Sequence, residues 1–206
     1  MPKREAPVSH LEQYLPPHTF GPVLQYLNHF KVHLTIARER KSILGDYRHR
    51  THQDNHRISV NGNLNSWSFF ITLLHELAHL LTFEQFGNRV QSHGREWKSV
   101  YGGLLDQCLK NKIFPPDIEK ELLQSLQDPA ASSCAEEGLL RVLRRYDKNP
   151  GMPMVEDLPS HSLFKTGDGR VFRKGKKLRK RYQCVEVNTG RLYLFSPVYE
   201  VEAISA

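Results

Sequence analysis

Residues 71–93 read ITLLHELAHLLTFEQFGNRVQSH, and within them His75-Glu76-Leu77-Ala78-His79 sets two histidines four residues apart in an apolar run. On an α-helix that spacing turns through about 400°, so both imidazoles leave the same face one turn apart. Phe69, Phe70, Ile71, Leu73, Leu74, Leu77, Leu80, Leu81, Phe83 and Phe86 leave almost no polar face, which predicts a helix buried on most sides. Burying a glutamate and two histidines without partners costs on the order of several kcal/mol or forces them neutral, whereas one divalent cation satisfies all three. His75 and His79 are therefore read as metal ligands, and Glu76 as a catalytic carboxylate placed to take a proton from an activated water. The competing reading is a core helix with hydrogen-bonded histidines. A membrane span is disfavoured, because ionisable groups sit in the middle of the run.

Asn65 or Ser66 supplies an N-cap for this helix, and Gly87 suits its C-terminal end. Apolar spacing resumes at Trp97, Val100, Tyr101, Leu104, Leu105 and Cys108, so a second helix follows, with His93 at its entrance. A catalytic zinc site has three protein ligands and an open position, which two histidines leave incomplete. His93, just past a turn, is the natural third, with Glu96 and Asp106 as the other candidates.

Upstream, residues 21–30 have helical spacing, while 31–40, 43–47 and 57–60 read as strands. The intervening RHRTHQDNH is a polar loop, whose His49, His52 and His56 are expected to face solvent rather than a metal. Downstream, 117–127 and 138–146 are predicted packing helices. The strand and turn HRISVNGNLN, the helix LLHELAHLLTF and the following SHGREWKSV together resemble the SprT-like family of zinc metalloproteases, over roughly residues 20–110. Relatives in that family include the eukaryotic Spartan protease, which degrades proteins crosslinked to DNA.

The resemblance implies one catalytic zinc ion held by His75, His79 and His93, with Glu76 as acid/base. It also implies an α+β fold, a zincin-like metalloprotease core with a small sheet beside the H-E-x-x-H helix. In that picture the 57–60 strand is the sheet edge nearest the zinc, where an extended protein substrate pairs by strand addition. Tyr47, Arg57 and Tyr101 are candidates for stabilising the oxyanion, and spacing does not choose among them.

The rest of the chain is of a different kind. DKNPGMPMVEDLP, rich in proline, glycine and charge, reads as a linker. Beyond it, short alternating runs separated by TGDG, KGKK and NTG predict a small all-β module built on Phe164, Phe172, Tyr182, Tyr193, Leu194 and Phe195. The organisation expected is a metalloprotease domain at 1–146, a linker at 147–159 and a basic β module at 160–206.

Many SprT-like proteins carry a four-cysteine zinc ribbon at this place. Here only Cys184 is present, and the other cysteines, Cys108 and Cys134, form no C-x-x-C pair. All three are read as free thiols of a reducing compartment.

The net charge of +7 is concentrated in residues 165–181, which hold nine Lys or Arg and a single Asp. Such a patch is the electrostatic footprint of a protein that binds a polyanion, here DNA. Arg173, Lys174, Lys176, Lys177, Arg179, Lys180 and Arg181 are the contacts expected, the alternative being a solvated face. The start, MPKREAPVSH, has no following apolar segment to make a secretory signal. The expected setting is the cytoplasm, in association with the nucleoid and without membrane contact. The rival to a DNA-associated endopeptidase is a nucleic-acid-associated scaffold with a structural metal site.

Overall fold

The computed structural model describes residues 8–40, 42–126, 134–149 and 151–204. In it the apolar run becomes one helix, α2 (Ser66–Phe86), with thirteen of its residues buried. Asn65 caps it, its side-chain oxygen accepting the Ser68 N–H at 2.9 Å. Gly87 ends it at φ +62°, a left-handed conformation that glycine adopts without the steric cost other residues meet. The chain divides into two units, Met1–Tyr146 and Asp147–Ala206.

In the first unit, α1 (Phe20–His29) leads into a three-stranded sheet of β1 (His33–Ala37), β2 (Gly45–Arg48) and β3 (Arg57–Asn61). After α2 come α3 (Arg95–Lys110), α4 (Pro116–Ser125) and α5 (Glu137–Leu143). Residues 1–7, and residue 127 at the end of the predicted 117–127 helix, lie outside the described residues. The core is built on α2: Phe69, Ile71, Leu73, Leu77 and Leu80 meet Ile58 and Val60 of β3, Trp97 and Leu105 of α3, and Ile118 and Leu122 of α4. That combination of helices around a small sheet is α+β, as the resemblance implies.

The sheet order corrects one expectation. It runs β1-β3-β2, with β3 parallel to β1 and antiparallel to β2. The 57–60 strand is thus central, its backbone groups used on both sides, and β2 is the edge beside α2. Ile58 and Val60 are 1% and 0% exposed, the burial of a middle strand. β1 stops at Ala37, shorter than the predicted 31–40, because its register with β3 ends at Asn61 and Gly62 N–H then closes on Ala37 O at 2.9 Å.

Residues paired across a ladder share a face. Gly45, Tyr47, Ile58 and Val60 therefore turn toward α2, and Asp46, Arg48, Arg57 and Ser59 away from it. β2 comes so close to α2 that a Cβ on Gly45 would stand 2.5 Å from Glu76 Oε1 and 2.8 Å from Thr72 Cγ2. Only glycine fits there.

The second unit is an antiparallel sheet of β4 (Leu163–Lys165), β5 (Val171–Lys177), β6 (Tyr182–Glu186), β7 (Leu192–Phe195) and β8 (Glu202–Ile204), in the order β7-β6-β5-β4-β8. Its core is Val155, Leu158, Phe164, Phe172, Cys184 and Val201, with Tyr182, Tyr193 and Phe195 packed against it. Leu194, expected in that core, is 56% exposed. Tyr193 opposite Cys184 points inward, so by the period of two its neighbour points out. The predicted linker is also shorter than expected. Met154, Val155 and Leu158 are buried, because this apolar trio joins the core of the sheet.

Replacing Asn65 with Ala removes the α2 cap and the bond from its amide to Leu143 O, and should destabilise the protein by about 1–2 kcal/mol. Asn65→Asp should recover only the capping part of the loss in denaturant unfolding, because it keeps the capping oxygen but sets an acceptor against Leu143 O. Gly45→Ala should cost about 1–3 kcal/mol by overpacking. Combined with Glu76→Ala, which clears two of the three atoms the new methyl meets, it should cost less than the sum of the single changes.

Candidate metal centre

His75 and His79 leave α2 one turn apart, and His93 sits two residues before the start of α3, next to its N-cap Gly94. Their Nε2 atoms converge: 3.2 Å from His75 to His93, 3.3 Å from His75 to His79 and 3.0 Å from His79 to His93. Ligand nitrogens around a tetrahedral ion at about 2.0–2.1 Å stand roughly 3.3 Å apart. These three side chains fit a metal ion as they stand and form, among the described residues, the one cluster of three that can hold it. Glu96 and Asp106 do not join them, and Asp106 is engaged 2.6 Å from Lys110.

The surroundings keep the imidazoles neutral, the form that binds metal. Burial, reinforced by the neighbouring histidines, pushes His75 down to about 3 and His79 to about 4; burial also lowers His93. Trp97, one helical turn after His93 and 0% exposed, forms the floor of the site. Its ring lies 4.6 Å from that of His75, 5.2 Å from His79 and 4.7 Å from His93. On another side the Tyr47 ring stacks parallel to His79 at 6.2 Å.

Glu76 is buried beside this cluster and against Gly45. Burial raises its carboxyl to about 8, helped by the charge of Asp46 and opposed by the Arg40 guanidinium. A carboxyl so poised near neutrality can both accept and return a proton. Of the oxyanion candidates, Arg57 lies on the sheet face turned from α2 and pairs with Asp54 at 2.6 Å, which removes it. Tyr101 is buried with its ring 5.5 Å from His75, and Tyr47 donates its hydroxyl elsewhere, to His56 Nδ1 at 3.0 Å.

Sequence reasoning missed two residues here. His56, expected in solvent, is 1% exposed, because it sits where the loop enters β3 under Tyr47 and Phe83. Gly45 was legible only as an isolated glycine in a strand, a sign of close backbone approach.

The basic segment is thinner than its charge count. Lys174 faces the core of the second unit opposite Cys184 and is 4% exposed. Its ammonium donates to the carbonyls of Glu156 and Leu158 and lies 4.4 Å from the centre of the Tyr182 ring. It is withdrawn from the expected phosphate contacts for that reason. Lys165 is 3.4 Å from Glu202, and Arg170 is 2.7 Å from Asp168. Arg173, Lys176, Lys177, Arg179, Lys180 and Arg181 are exposed, the last five around the β5–β6 hairpin turn. No helix among the described residues is long and apolar enough to cross a membrane.

Residues 18–111 match the model of the SprT-like family. The chain is similar to Protein SprT of Pseudomonas putida, 43% identical over 49 residues, which are 24% of this chain and 29% of the relative. It is also similar to Protein SprT of Pseudomonas fluorescens, 39% identical over 46 residues, or 22% of this chain and 24% of the relative. The matched part spans about a quarter of the length of these curated relatives. No solved structure gives a significant match to the chain. The family-model match takes in α2, the three converging histidines and Glu76, so it is this part of the chain, residues 18–111, that is SprT-like.

Proposed function

We propose that the chain is a zinc-dependent endopeptidase with a zincin-like core, acting on proteins associated with or crosslinked to DNA. The observation that carries this reading is the convergence of three neutral imidazole nitrogens within 3.3 Å of one another beside a buried, protonatable Glu76. A purely structural metal site has no need of that carboxylate. His75, His79 and His93 would hold the zinc, which when bound supplies Lewis acidity toward water and a scissile carbonyl.

Glu76 takes the proton of the attacking water and returns it to the leaving amine. The close approach of Gly45 to Oε1 keeps that carboxylate from swinging toward the sheet. Trp97 closes the floor against water and orients the imidazoles. An extended substrate has an edge to pair with in β2, which bonds only to β3 among the described strands. That edge places the substrate beside Tyr47 and Glu76, taking the role expected of the 57–60 strand. The six exposed cations of β5 and the β5–β6 turn form the DNA contact, with the phosphate backbone as their target.

Glu76→Gln should keep one zinc per chain and lower peptide cleavage by about 100-fold or more, the scale of general acid–base catalysis. His79→Ala should lose zinc and cleavage together. Undiminished cleavage by Glu76→Gln would sink the mechanism, and a fourth protein ligand in the metal's spectrum would favour a scaffold role. Exchanging Arg173, Lys176, Lys177, Arg179, Lys180 and Arg181 for Gln should weaken binding of single-stranded DNA. The slope of log affinity against log salt should fall by up to about 4. Unchanged binding would make the segment a solvated face.

A further inference from the structure

We propose that His56 and Asn61 are positioning residues: two buried polar side chains, one just before β3 and one at its end, that pin the two ends of edge strand β2 against Glu76 and His79. β2 has only four residues, and a short edge strand bonded on one side is the kind of element that frays. Yet both of its inward-facing residues touch the site, Gly45 at Glu76 and Tyr47 at His79. Something outside the ladder has to hold it.

At the Gly45 end the holder is Asn61, 1% exposed and with its side-chain amide and backbone N–H all engaged. Its amide nitrogen donates to Arg40 O at 3.1 Å and Ile43 O at 3.0 Å, and its backbone N–H to Leu44 O at 2.9 Å. Its side-chain oxygen accepts from Arg40 Nε at 2.7 Å, and Arg40 Nη1 continues to Ser59 Oγ at 3.0 Å. One asparagine thus ties three carbonyls of the β1–β2 connection, the last of them immediately before Gly45. Aspartate could accept but not donate, and alanine could do neither.

At the other end the holder is His56. The Arg50 N–H donates to its Nδ1 at 3.3 Å, and a backbone N–H can only donate, so Nδ1 is bare and the ring proton is on Nε2. The Tyr47 hydroxyl, 3.0 Å from that same Nδ1, is therefore the donor. Nε2 lies 3.2 Å from Glu84 Oε1 on α2, within reach of its charge but outside hydrogen-bond alignment, and Glu84 Oε2 accepts a hydrogen bond from Arg50 Nη2 at 3.1 Å. This chain links the end of β2 to the helix that carries His75 and His79, five residues before Glu84. Both pins are side chains of the β3 region, so the central strand sets the edge strand's place relative to α2.

The test uses the full chain with Asn61→Ala and, separately, Tyr47→Phe, which keeps the ring over His79 and deletes only the bond to His56. Amide exchange at residues 45–48 should accelerate about tenfold or more in each variant, with exchange along α2 unchanged and the metal content still one per chain. A role in general stability alone would instead move α2 and β2 together. The kinetic arm rests on the peptidase reading: kcat, and not only KM, should fall about tenfold, because Glu76 and His79 lose their backing. Unchanged exchange at 45–48 in both variants, or acceleration spread equally through α2, overturns the pinning. If the wild-type chain cleaves no peptide, the endopeptidase reading fails, while exchange and metal content still decide the pins.

Discussion

Three imidazole Nε2 atoms stand 3.0–3.3 Å from one another and, in the tautomer that leaves each with a lone pair, repel when nothing stands between them. The first unit is arranged to hold them there. α2 supplies two from a single face, and its burial on nearly every side denies them the option of turning to water. Trp97 blocks the space beneath and Tyr47 the space beside. The low pKa values of His75 and His79 follow from that enclosure, and they leave the lone pairs free for a cation. The fitness of the site for a cation is thus stored in packing, since the apolar shell that makes the histidines poor bases also fixes their geometry.

What the sequence made legible was local. The α2 limits, its cap at Asn65 or Ser66, its end at Gly87 and the entry of α3 after His93 all rest on patterns a few residues long; the structure chooses Asn65 for the cap and keeps the others as read. The order of the three strands is a different kind of information. Both Ile58 and Val60 are apolar whether β3 is central or at an edge, and nothing in a four-residue alternation tells which neighbour will take the other side. Burial of His56 was hidden for the same reason: its loop looks polar, and only the fold places Tyr47, Phe83 and Glu84 around it.

Charge counts fail in a similar way. The window 165–181 has nine cations, but the strand alternation of β5 sends Arg173 out and Lys174 in. Acidic partners elsewhere in the second unit engage Lys165 and Arg170. Six exposed cations remain, five of them gathered at one hairpin turn. The field they produce is more local than the sum of charges implies, and over about 10 Å of screening length it is the local density that a phosphate experiences.

Lys174 also bears on how so small a sheet holds together. A module of this size buries little apolar surface and needs a further internal tie. Its ammonium lies under the sheet, donates to two carbonyls of the 154–158 segment and faces the Tyr182 ring, with Cys184 across the ladder. A cation thus fastens the incoming chain to the sheet through oxygen and π ligands. Burial lowers the lysine's pKa, but the carboxylates of Asp157 and Glu156 act in the opposite sense, and two carbonyl acceptors favour the charged form. The same residue therefore cannot serve both as this internal tie and as a surface charge, so cohesion and the exposed basic face draw on different cations.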